Sequence, residues 1–197
     1  MVAALWLPNF AYAANNILVF GDSLSAAYGI PIEKSWVNLL QQELGRSHPN
    51  FSVVNASLSG ETTLGGKQRI AKVLQQFRPA IVILELGAND GLRGYRVADM
   101  ERNLSGIIEQ AKSTGAKVLL VGMKLPPNYG AAYTTQFADI YPRLAKKHGI
   151  KLLPFLLEGI TSEQFQADNL HPTASAQEKI FRTVLKHLGP LLTSHDN

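Results

Sequence analysis

A serine, a histidine and a carboxylate in this chain have the types and spacing for acyl-transfer chemistry. Ser23 stands two residues past the end of the apolar run Ile17–Gly21, while Asp168 and His171 stand close together in ADNLHP, far along the chain. A serine hydroxyl is a weak nucleophile until a base takes its proton, and imidazole, which titrates near neutrality, is the usual base. A carboxylate must then hold the ring so that the correct nitrogen faces the serine. In a turn as short as that from Asp168 to His171, the carboxylate can fold back onto Nδ1 and leave the other ring nitrogen pointing towards Ser23. Attack on an ester creates an oxyanion that needs donors fixed in advance. The backbone N–H of Ser23 is one, at the end of a strand. Gly60 is a second, in a loop where no side chain blocks a backbone N–H. The side-chain amide of Asn89 is a third. Asp22 reads as support for the turn rather than as an acid. Glu85, which interrupts the apolar run IVILEL, reads as a buried, hydrogen-bonded carboxylate with no catalytic role.

These residues can act together only if the fold gathers them. Apolar strand-like runs cover Ile17–Phe20, Phe51–Asn55, Ile81–Leu86, Lys117–Gly122 and Lys151–Pro154. Helical patterns fall between them at Glu33–Leu44, Thr63–Phe77, Asp99–Thr114 (ending at Gly115) and Tyr133–His148 (with Pro142 predicting a kink or interruption). The last helix is expected over Thr173–Leu188, opened by Pro172 and closed by Gly189. The strand runs are apolar throughout rather than alternating, as in a parallel sheet covered on both faces. This predicts one α/β domain, a three-layer α/β/α sandwich with a five-stranded parallel sheet in the flavodoxin-like order 2-1-3-4-5. Ligands of such sheets bind beyond the carboxyl ends of the strands. Ser23, NASLSGETTLGG, GAND, KLPPNYG and ADNLHP all follow strands at that edge.

The blocks FGDSLSAAYG, NASLSGETT, ELGANDGLRG and DNLHP resemble, in order and spacing, the signature blocks of the SGNH (GDSL) hydrolases. The resemblance runs over nearly the whole chain beyond its first residues. LPPNYG and IYPRLAKKHG add a likeness to the family's periplasmic branch of multifunctional thioesterases, lysophospholipases and arylesterases. The resemblance implies Ser23 as nucleophile, His171 as base, Asp168 as its partner, and Gly60 and Asn89 as oxyanion donors with the Ser23 N–H. It implies hydrolysis of acyl esters and thioesters with no cofactor and no metal. The family often has glycine after the catalytic aspartate; Asn169 stands there in this chain, and asparagine tolerates left-handed geometry. The pattern is not the G-x-S-x-G elbow of the α/β-hydrolases.

A groove for acyl chains of medium length or more is expected from the loops after the second, third and fourth strands. Leu64 with the flexible pair Gly65-Gly66, Leu92, and Leu125, Pro126, Pro127 and Tyr129 would wall it. The alternative on the same fold is a carbohydrate O-acetylesterase, which would want polar, sugar-facing groups where KLPPNYGAAY and TTLGG are apolar or small. A third reading, a silent binding domain, would have lost one of the site residues.

Composition narrows the classes further. The chain has 197 residues, 46% hydrophobic composition and a net charge of +4, with its basic residues scattered rather than clustered. That argues for one domain and against nucleic acid as a partner. With no cysteine there is no disulfide frame, thiolate nucleophile or Cys-type zinc site. No run is long enough to span a membrane. Residues 1–14, uncharged and ending in Ala11-Tyr12-Ala13, resemble the distal half of a signal peptide without its basic start. The expectation is therefore a signal-peptide remnant at 1–14, a hydrolase domain at 15–197, and a periplasmic or secreted monomer acting on small molecules. His48, His148, His187 and His195 read as surface histidines without partners.

Overall fold

Ile17, Leu18, Val19 and Phe20 are consecutive and all fully buried, which a strand permits only when both of its faces are covered. Ile81, Val82, Ile83 and Leu84 repeat the pattern. The computed structural model describes residues 15–192. Its strands are β1 (Asn15–Gly21), β2 (Phe51–Asn55), β3 (Ile81–Glu85), β4 (Lys117–Val121) and β5 (Lys151–Leu153). They form a single sheet in the order β2-β1-β3-β4-β5, every pair parallel, as predicted. Gly21 is level with Glu85 across the β1–β3 pair, so the segments carrying Ser23 and Asn89 leave the sheet side by side.

The helices are α1 (Trp36–Ser47), α2 (Thr63–Phe77), α3 (Ala88–Leu92), α4 (Val97–Ser113), α5 (Ala131–His148) and α6 (Gln177–Leu192). α1 packs with α6, and α2 with α4 and α4 with α5, giving a layer on each side of the sheet. The predicted first helix begins later than Glu33. Ser35 caps it by accepting from the Asn38 N–H, and a separate 3-10 turn holds Ile32–Lys34. α5 runs through Pro142 without interruption. α6 starts after a 3-10 turn at Ala174–Ala176 and passes the expected stop at Gly189. Gly189 does not take the left-handed conformation that ends a helix, and the buried stripe continues through Leu191 and Leu192. α3 was invisible to periodicity because one turn carries no period.

Gly65 and Gly66, expected to be a flexible pair, lie inside α2. A Cβ on Gly66 would come within 2.6 Å of Leu86 Cδ1 and 3.2 Å of a Phe20 ring carbon. The glycine lets α2 approach the sheet closely, and it works by absence of volume rather than by flexibility.

Candidate active site

The turn after β1 is fixed from below by buried carboxylates. A Cβ on Gly21 would meet Glu85 Oε2 at 2.6 Å, so only glycine leaves room for that side chain. Glu85 Oε2 accepts from Ser25 Oγ at 2.7 Å and from the Asp22 N–H at 3.3 Å. Asp22, fully buried, accepts from the Leu24 N–H at 3.0 Å through Oδ1 and from Asn89 Nδ2 at 3.1 Å through Oδ2. Both carboxylates have the structural part expected of them. Burial raises Asp22 from 3.8 to about 6, with the charge of Asp90 adding to it, and burial together with the charge of Asp22 pushes Glu85 up as well. Because the folded value of Asp22 lies above the unfolded one, its burial costs stability above about pH 6, and the cost fades as the pH falls towards 3.8. Trp36 Nε1 donates to the Leu24 carbonyl at 3.1 Å and Asn55 Nδ2 to the Ser25 carbonyl at 2.8 Å, closing the turn from above.

The loop beyond β5 supplies the histidine. His171 Nδ1 lies 2.7 Å from Asp168 Oδ2, and His171 Nε2 lies 2.8 Å from Ser23 Oγ. Asp168 Oδ1 also accepts the backbone N–H groups of His171 and Leu170, at 3.0 and 2.9 Å. Those bonds, the His171 N–H foremost, hold the carboxyl down at about 2. Asn169 takes the left-handed conformation, φ +57°, that the family's glycine would take more freely. Gln166 fastens this loop to the serine turn: its Nε2 donates to the carbonyls of Tyr28 (2.9 Å) and Pro172 (3.1 Å). The Tyr28 ring stands 4.5 Å from the His171 ring. Sequence reasoning missed both residues, since neither carries a catalytic type.

Gly60 has φ +78°, and a Cβ there would meet nothing nearer than Arg93 Nη2 at 3.8 Å. The positive φ alone favours glycine there, and no protein side chain crowds the position. Among the described residues, the N–H groups of Ser23 and Gly60 donate to no protein acceptor. One hydrogen of the Asn89 amide goes to Asp22, which leaves the other for a ligand. The placement of Asn89 follows from α3, where its neighbour Asp90 is pinned to Thr63 at the start of α2 by bonds of 2.9 and 2.6 Å.

A cavity of about 410 Å³ holds Ser23, Gly60, Asn89 and His171 in its wall. Leu92, Leu125 and Pro126 line it, together with Met123, Phe155 and Phe165. Met123 and Phe155 follow β4 and β5 closely, so the rule that found the other segments could have found them too. Leu64 and Tyr129 lie outside. Leu64 is 54% exposed on the first turn of α2, where its neighbour Thr63 is the buried residue bound to Asp90. Tyr129 turns its hydroxyl to the Leu92 carbonyl at 3.1 Å and braces the wall from behind. The remaining histidines are half-buried and partnered rather than bare. His148 Nε2 lies 2.8 Å from Ser105 Oγ, His187 Nδ1 2.9 Å from the Thr183 carbonyl, and His48 Nδ1 3.0 Å from Ser47 Oγ. His195 lies outside the described residues.

The GDSL-like lipase/acylhydrolase family matches the chain over residues 19–179, a span that contains the serine turn, both oxyanion candidates and the histidine loop. The chain belongs to that family. Esterase TesA of Pseudomonas aeruginosa is 44% identical over 182 residues, 91% of this chain and 90% of the relative. Thioesterase 1/protease 1/lysophospholipase L1 of Escherichia coli (strain K12) is 40% identical over 189 residues, 95% of this chain and 89% of the relative. The crystal structure of the psychrotrophic esterase EstA from Pseudoalteromonas sp., inhibited by monoethylphosphonate, superposes with a TM-score of 0.87 at 36% identity, covering 91% of this chain and all of that one. This GDSL-family chain is thus a hydrolase of the esterase and thioesterase kind, on the five-stranded parallel sheet its sequence predicted.

Proposed function

We propose that this GDSL-family hydrolase cleaves carboxylic esters and thioesters, aryl esters, acyl-CoA and lysophospholipid-like molecules among them, through an acyl-Ser23 intermediate. The observation that carries the roles is the continuous pair of contacts on one imidazole, Asp168 Oδ2 on Nδ1 and Ser23 Oγ on Nε2, at 2.7 and 2.8 Å. Ser23 Oγ attacks the carbonyl carbon as His171 Nε2 takes its proton. The oxyanion settles among the N–H groups of Ser23 and Gly60 and the Asn89 amide. The carbon–oxygen or carbon–sulfur bond then breaks, the proton on His171 goes to the leaving group, and water repeats the sequence on the acyl-serine. The residues that surround the serine need neither a cofactor nor a metal for these steps.

The cavity is the acyl pocket in this reading, with Leu92, Leu125, Pro126, Met123, Phe155 and Phe165 facing the chain. Each buried CH₂ contributes up to ~0.8 kcal/mol, so two further carbons raise kcat/KM by up to about 10-fold until the pocket fills. The test is a series of p-nitrophenyl esters from acetate to laurate, kept below their micelle concentrations. A rise through hexanoate or octanoate, blunted in Leu125→Ser, is expected. A monotonic fall from acetate onward would remove the pocket's role and favour the acetylesterase. Export to the periplasm or beyond rests on the signal-like residues 1–14, which lie outside the described residues. Among the described residues, no helix is long and apolar enough to cross a membrane. The enzyme is taken to act as a monomer.

A further inference from the structure

Beside the oxyanion glycine stands a guanidinium with spare donors. Arg93 Nη2 donates to the Gly60 carbonyl at 3.1 Å, and Arg93 itself is exposed. Among the described residues, Arg78 and Arg93 are the arginines that face no carboxylate within ion-pair distance. Arg78 caps the far end of α2, at the opposite edge of the sheet. Arg93 lines a groove of about 490 Å³ with Leu64, Tyr95, Arg96, Asp99 and Asn103. Leu92, one residue earlier, lines the acyl cavity, so cavity and groove meet at the contact of Arg93 with Gly60.

The acids near this groove are already spent. Asp90 gives both oxygens to Thr63. Asp99 is paired with Arg102 and, at 4.0 Å, with Arg96. Glu61 is paired with Arg69 at 2.5 Å. A guanidinium presents five N–H donors in a planar fork suited to phosphate, and one bond to a carbonyl leaves most of them free. The acyl cavity is walled mostly by apolar side chains, with Lys124 held over the Phe155 ring at its lining, so the groove beside Arg93 is the side open to the group that departs.

We propose that Arg93 determines specificity for esters and thioesters whose leaving group carries a phosphate. The proposal rests on the acyl-Ser23 reading and deepens it. Arg93 binds the phosphate of the leaving group and takes no part in bond making. The substrates to compare are p-nitrophenyl octanoate, octanoyl-CoA and octanoyl-lysophosphatidylglycerol, all below their micelle concentrations. Arg93→Gln is expected to lower kcat/KM for the two phosphate-bearing substrates by about 10-fold relative to the neutral ester, through KM, with Arg93→Lys recovering part of it. Added salt should raise KM for octanoyl-CoA in the parent enzyme and much less in Arg93→Gln. Loss with only one of the two phosphate carriers would assign the contact to that leaving group. An unchanged ratio would overturn the proposal. So would an equal fall on all three substrates, because Arg93 would then act only by steadying Gly60. Octanoyl-CoA binding to the Ser23→Ala protein reads the same contact without turnover: about 10-fold weaker binding with Arg93→Gln is expected, and equal binding refutes it. Failure of the acyl-serine reading would show separately, as p-nitrophenyl octanoate hydrolysis that survives Ser23→Ala.

Discussion

His171→Ala is expected to lower kcat on p-nitrophenyl butyrate by about 10⁴-fold or more, the scale on which a base acting as a unit with its nucleophile is missed. Among the described residues, neither neighbouring carboxylate can take over. The carboxylate of Asp168 reaches Ser23 only through the ring. Asp22 is buried, with both oxygens already engaged by Leu24 and Asn89. The fold should tolerate the change, since the ring is 20% exposed and the loop is held by the Gln166 bonds and the Phe165–Pro172 bridge. Thermal denaturation close to that of the parent, with the large kinetic loss, is the expected pair of results. A loss below 10-fold would remove His171 from the role of base.

The residues of this site were readable because each belongs to a type whose chemistry is scarce: an Asp-Ser pair ending an apolar strand, and an aspartate three positions before a histidine. The sheet was readable because a strand covered on both faces has no place for a polar residue without a partner, and the apolar runs Ile17–Phe20 and Ile81–Leu84 show it. What supports the site was not readable. Gln166 and Tyr28 do their work through a backbone carbonyl and a ring face, contacts that any sequence position could make. Leu64 was misplaced because an apolar residue after a strand can point to either side of a helix start, and Thr63 took the inner side through its bonds to Asp90. Tyr129 turns its hydroxyl away to the Leu92 carbonyl at the end of α3, which no pattern of residue types could disclose. Gly189 looked like a helix stop because the sequence does not display the buried face that carries α6 onward.

Asn89→Ala carries the second large effect. It should lower kcat about 10²–10³-fold and leave KM nearly unchanged, as the loss of one oxyanion donor does. The amide meets the charge that develops in the transition state and is idle before it, so binding of the ground state is spared. The same change removes a partner from Asp22 Oδ2, bonded at 3.1 Å, and leaves a buried carboxylate oxygen without its donor. A cost of about 1–3 kcal/mol in stability accompanies it. Kinetics well below the lowered melting temperature separate the two effects: the fall in kcat persists there. A variant with parental kcat would take Asn89 out of the oxyanion hole.

The account turns on Ser23 being the nucleophile. A fluorophosphonate probe, followed by intact-mass measurement and peptide mapping, asks that directly, and the EstA relative is itself described as inhibited by monoethylphosphonate. One adduct per chain, located on Ser23 and absent from Ser23→Ala, is the expected result. An adduct on another serine, or equal labelling and equal ester hydrolysis by Ser23→Ala, would contradict the account.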